Sequence, residues 1–143
     1  MLVPAAEIVS TLEILRGWRI IADPSALDSA TWPATSRVVR ISPDDVYVIG
    51  SVEPAVPADP YAIITPEMGF AGVGLSPAEV TAIAQEHIEW PLPSMRPALA
   101  QGQIAGVPAK LELHVDGSAL LLVACAARHE LEARIARTLA GCA

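Results

Sequence analysis

Three histidines, two cysteines and one glycine-rich run are the groups in this sequence that could do chemistry. His87, His114 and His129 fall on an expected helix, strand and helix. None has a second ligand at metal-binding spacing, such as the i, i+4 pair of a zincin helix, and His129-Glu130 lacks the second histidine of His-Glu-x-x-His. The bland reading, histidines at the surface or at the edge of the core, accounts for all three. Cys125 lies where the last expected strand meets the last helix. A helix N-terminus lowers a thiol pKa, and His129 would stand one turn away as a base, so Cys125 with His129 is the sharpest enzyme reading. A small buried thiol within Ala-Cys-Ala-Ala explains the same residue with less. Cys142, near the end of the sequence, is expected to be inert. A disulfide between the two is weakly motivated, and reduced thiols in a reducing cytosol are the expectation.

The run Gly69-Phe70-Ala71-Gly72-Val73-Gly74 reads G-x-x-G-x-G, the reverse of the dinucleotide order, with no long parallel βαβ unit around it. Glycines that permit close approach of a neighbouring strand are the simpler account. Ser76 could bind an anion at a helix start, but a capping box already uses two of the amides there. Asp44-Asp45 begins no calcium-loop spacing and reads as an acidic turn. Trp32, Trp90, Leu92 and Met95 are candidates for a partner interface, because aromatic and Met residues favour interface centres. On this reading the chain contributes no catalytic, cofactor-binding or metal-binding residue of its own.

Composition narrows the classes further. Of 143 residues, 52% are hydrophobic, 17% charged and 4% aromatic, and the net charge is −7. Lys110 is the single lysine, so no basic run exists to neutralise phosphates, which argues against nucleic acid and against anionic membrane surfaces. The longest apolar runs, such as 119–127, fall far short of the about 20 residues a membrane span needs. Residues 1–10 lack a basic n-region and a long apolar h-region, so a secretory signal is not expected and a cytoplasmic location is. Such an apolar composition fits either an alanine-rich protein with an ordinary core or a subunit with a face covered in a complex.

The elements that must position these groups read as follows. Residues 7–16 have helical spacing in Ile8, Leu12 and Leu15, and residues 18–22 form a short strand. Residues 23–36, broken by Pro24 and Pro33, read as a loop or wrapped arm, so 1–36 is expected to be peripheral and 37–143 a single domain. Arg37 to Ile41 and Val46 to Ile49 form a hairpin about Ser42-Pro43-Asp44-Asp45. Residues 53–60 carry three prolines and read as a linker, and Tyr61 to Thr65 resumes extended structure. Phe70 to Leu75 is a strand. Ser76-Pro77-Ala78-Glu79 then opens a helix whose buried stripe is Val80, Ile83, Ala84 and His87. After a connection over 94–102, residues 103–114 read as one long strand bent at Gly106-Val107-Pro108. Asp116-Gly117 turns it into Leu120 to Ala124. Ala127 to Leu139 closes the chain as a helix stopped by Gly141. The fold class is therefore α+β, with a small antiparallel sheet and helices on one face, in the manner of ferredoxin-like domains.

Four stretches, "RVVRISPDDVYVIG", "AIITPEMGFAGVGLSPAEVTAIAQEHIEWPL", "GQIAGVPAKLELHVDGSALLLVA" and "RHELEARIARTL", together resemble the gamma subunit of heterotetrameric sarcosine oxidase. That family is related in fold to the folate-binding domain of aminomethyltransferases. The resemblance rests on the order and spacing of the stretches and covers about two thirds of the chain. The chain is shorter at its N-terminal end than the family pattern. Thr65-Pro66-Glu67-Met68 stands where aminomethyltransferases begin a strand with Asp-hydrophobic-Ser, and the aspartate those enzymes set against the folate amine has no counterpart. The resemblance implies a non-catalytic small subunit of a heteromeric flavin-dependent oxidase or dehydrogenase acting on an N-methyl amine. FAD or FMN, NAD and tetrahydrofolate would sit on larger partner subunits and none on this chain alone. The alternative is a free-standing domain of the same fold that holds folate or another small acid between the glycine strand and the Trp90 loop.

Overall fold

The computed structural model describes residues 11–142. Twelve regular elements follow in order: β1 (Glu13–Ile14), β2 (Gly17–Ile21), α1 (Pro24–Ser29), β3 (Arg37–Ser42), β4 (Asp45–Ile49), β5 (Ile63–Glu67), β6 (Phe70–Leu75), α2 (Pro77–His87), β7 (Ala98–Ile104), β8 (Val107–Leu113), β9 (Ala119–Ala124) and α3 (Arg128–Ala140). The class is α+β, as the pattern predicts, but the strands form two sheets rather than one: β1-β6-β9-β8-β7 and β3-β4-β2-β5. The chain divides into two compact units, Leu15–Phe70 and Met1–Ile14 with Ala71–Ala143.

In the larger unit, β8 alternates strictly. Val107, Ala109, Leu111 and Leu113 are buried while Pro108, Lys110 and Glu112 point away, the period of two that one packed face requires. β9 pairs antiparallel with β8, Leu121 opposite Leu111, and is buried from Ala119 to Val123. Leu121 and Val123 join a core with Val80 and Ile83 of α2 and Leu131, Ile135 and Leu139 of α3. Each such fully buried aliphatic side chain contributes roughly 1.5–3 kcal/mol. The start of α2 is fixed as expected. The Ser76 side chain accepts from the Glu79 N–H at 3.2 Å, the Glu79 carboxylate accepts from the Ser76 N–H at 2.8 Å, and Pro77 occupies the first turn.

The smaller unit is a four-stranded antiparallel sheet with β2 central between β4 and β5. Ile20, Val46 and Val48 share one face with Ala26 and Leu27 of α1. On the other face Arg19 binds Asp45 with two hydrogen bonds, 2.6 and 2.7 Å, and reaches Glu67 at 3.3 Å. The hydrogen bonding it donates to Asp45 is the main reason the Arg19 guanidinium holds its proton more tightly than usual.

Several expectations are corrected. The helix expected over 7–16 is absent from the described part of that range. Glu13 and Ile14 pair with Gly72 and Ala71, and the Leu12 N–H binds the Glu132 carboxylate at 2.8 Å, so ladder and side-chain partners replace helical ones; residues 7–10 lie outside the described residues. The expected loop over 23–36 contains α1, because Pro24 sits in the first turn of a helix, where its missing N–H costs nothing, and Ala26 and Leu27 bury. The contacts do not follow a division at residue 36, since β2 is a central strand and not part of an arm. The long bent strand over 103–114 is the end of β7, a two-residue turn and β8. Ala105 and Gly106 both take positive φ (51° and 78°), the geometry of a tight hairpin turn. Gly141 ends α3 with φ −67°, in the right-handed region rather than as a left-handed cap.

Ser76→Ala removes one side of the capping box and is expected to lower stability by about 1 kcal/mol. Asp45→Ala strips the Arg19 clamp and is expected to cost about 2 kcal/mol. Urea unfolding measures both; equal, near-zero losses would contradict the roles assigned here.

Candidate functional site

Three hollows are lined by the groups that could act. The first follows from a stripe of small residues. Leu131, Ile135 and Leu139 turn one face of α3 into the core, and Ala133, Ala136 and Ala140 lie beside them at helical spacing. With only methyl groups there, a groove of about 400 Å³ opens between α3 and Leu12 and Val73. His129 and Glu132 also line it. Both Glu132 oxygens are engaged, one by the Leu12 N–H and the other 3.4 Å from His129 Nδ1. Among the described residues its lining is mostly aliphatic, so the groove can take an aliphatic body.

The second hollow, about 290 Å³, lies at the end of α2 and is lined by Glu86, His87, Glu89, Trp90, Gln103, Ala105 and Gly106. Trp90 packs closely against β7. Its indole N–H donates to the Gln103 carbonyl at 2.8 Å, and a Cβ on Gly102 would fall 2.5 Å from the ring, so the strand must be bare there. His87 Nε2 is 2.7 Å from the Thr138 hydroxyl, which donates to Glu86 at 2.9 Å. In the smaller unit, a third hollow of about 540 Å³ is framed by α1 residues, Trp32, Pro33 and residues 53–58.

Of the four interface candidates, Met95 is 85% exposed, whereas Trp90 and Leu92 are half-buried against the core of the larger unit. Trp32 is half-buried against the core of the smaller one, so the four do not form one patch within either unit. Sequence reasoning missed the exposed apolar end of β2 and β5. Ile21 and Ile63 are cross-strand partners, 39% and 59% exposed, and Tyr61 is 88% exposed. Pro66 was the available signal: a proline inside a strand marks a sheet edge, and β5 is one.

The remaining sequence candidates separate. His114 is held in the β8–β9 hairpin by Ser118 and Glu112, each at 3.0 Å. In the adjoining turn the Ser118 hydroxyl and N–H hold the Asp116 carboxyl below its usual range. His129 is largely exposed, with its two ring nitrogens directed at Glu132 and Arg128. Cys125 opens a short 3-10 turn and packs on the core; neither it nor Cys142 is in a disulfide. Among the described residues, no cluster of three or more His, Cys, Asp or Glu could hold a metal ion. None of the described helices is long and apolar enough to cross a membrane. A site between the glycine strand and the Trp90 loop is not formed: the glycine strand is β6, Trp90 lies on β7, and β9 and β8 stand between them.

No protein-family model matches the sequence, and no curated protein matches it. Among solved structures the chain is similar to a chain of the heterotetrameric sarcosine oxidase from Corynebacterium sp. U-96, in complex with pyrrole 2-carboxylate. The identity is 11% and the TM-score 0.67, over 96% of this chain and 90% of the other. The likeness shows the fold.

Gly102→Ala is expected to push the Trp90 indole off β7 into solvent, with a red shift of its emission, taken as the difference from Trp90→Phe, and a loss of roughly 1–3 kcal/mol. Unchanged emission would contradict the close packing.

Proposed function

We propose that the protein is a non-catalytic small subunit of a heteromeric flavin-dependent amine oxidase or dehydrogenase, of the kind that oxidises an N-methyl amine. The observation that carries the reading is the reach of the structural likeness. It covers nearly the whole of both chains, so the counterpart is a small chain of a heterotetrameric enzyme and not a domain inside a much larger one. The order of elements that resembles the gamma subunit supports it independently. The committed state of the polar groups is also in keeping with it. Glu132 and His114 are engaged in structural hydrogen bonds, and the Thr138 hydroxyl donates to the Glu86 carboxylate. In this reading larger partner subunits carry FAD or FMN, NAD and tetrahydrofolate, and the assembly works in the cytoplasm. This chain supplies fixed surface, with Met95 and the exposed end of β2 and β5 as apolar ground for contact.

A non-catalytic subunit predicts a particular split in the native host. Deleting the chain is expected to lower the abundance of the larger subunits and with it N-methyl amine oxidation. His114→Gln, His129→Gln and Cys125→Ala, each assayed in the purified assembly, should leave kcat within about twofold of the unaltered enzyme. A loss of a hundredfold or more in kcat from one of these, with the assembly intact, would place the chain in the catalytic machinery instead.

A further inference from the structure

The end of α2 holds a chain of three polar groups whose protons can be assigned. Thr138 is 8% exposed, and its hydroxyl lies 2.9 Å from Glu86 Oε2 and 2.7 Å from His87 Nε2. A hydroxyl has one proton to give. A carboxylate can only accept, so the proton goes to Glu86; were it turned to His87, two oxygens would face each other with no hydrogen between them. The hydroxyl must then accept from His87, which therefore carries its proton on Nε2. The same residue is tied through its backbone: the His87 carbonyl, left without an intrahelical donor at the helix end, accepts from the Ala105 N–H at 2.9 Å. The helix stops there, Ile88 is extended, and two residues on Trp90 lies on β7.

We propose that Glu86, Thr138 and His87 form a proton-ordered latch that fastens the last turn of α2 to α3 and fixes where the loop over 88–97 begins. Glu86 is the orienting acceptor, Thr138 the relay and His87 the tethered end. The latch does not depend on the subunit reading, because each of its bonds lies within the larger unit.

The test uses the full chain with 15N-labelled histidine. The ring nitrogens of neutral His87 are expected to show the Nε2–H form; the Nδ1–H form would overturn the assignment. Thr138→Ser keeps a hydroxyl and should preserve the His87 pattern and the Trp90 indole N–H resonance. Thr138→Val keeps the shape without the hydroxyl. It should release the Nε2–H preference, shift the Trp90 resonance and speed hydrogen exchange in the last turn of α2 by about tenfold. Exchange and Trp90 resonance unmoved by Thr138→Val would overturn the latch. Should that variant not fold, the ring form in the unaltered chain and in Thr138→Ser decides.

Discussion

Burial of β9 is the constraint on which the larger unit depends. Ala-Leu-Leu-Leu-Val is out of contact with water along its length, so its backbone groups must be met by neighbouring strands, and β8 and β6 lie on its two sides. A one-residue slip would exchange the residues on its two faces. Leu121 and Val123 then fix where Ile83 of α2 and Leu131, Ile135 and Leu139 of α3 must lie, because these residues share one core. The placement of Trp90 at one edge of the sheet and of the alanine-lined groove against Leu12 and Val73 follows from that arrangement.

Local signals were legible in the sequence where one chemistry decides the outcome. The capping box at Ser76 and Glu79, the Asp116-Gly117 turn, the β3–β4 hairpin and the four-residue spacing of α3 are each found where the residues place them. Tertiary partners decided the rest. Residues 11–16 have apolar spacing that a helix could use, yet β6 offers Glu13 and Ile14 a ladder. Pro24 reads as a breaker or as a first-turn proline with equal justice, and only the burial of Ala26 and Leu27 selects the helix. Gly106-Val107-Pro108 looks like a bend because Ala105, the other residue with positive φ, is not one that announces a turn. The second sheet was hidden because β2 finds β4 and β5 far along the sequence, and no periodicity encodes such a pairing.

The chemistry-bearing residues were legible as types and spacings, not as contacts. Neither metal-ligand spacing nor a zincin pair appears in the sequence. In the structure several of the larger unit's polar groups are held in hydrogen bonds: beside the hollows Glu132 accepts from a backbone N–H and Glu86 accepts from the Thr138 hydroxyl, and in the β8–β9 hairpin His114 sits between Ser118 and Glu112. Such satisfied networks rigidify the segments they join. The exposed apolar residues were the less legible part. Of Trp90, Leu92 and Met95 only the last stands out in solvent, whereas Ile63, at the start of edge strand β5, and Tyr61, in the turn before it, are exposed although 61–65 reads only as extended structure.

Purification of the tagged chain from its native host, with the mass and visible spectrum of what is recovered, tests the central claim most directly. The account predicts a yellow assembly in which the chain is present in fixed stoichiometry with larger flavin-bearing chains. A colourless species with the mass of the chain alone, recovered under conditions that keep such complexes intact, would contradict it.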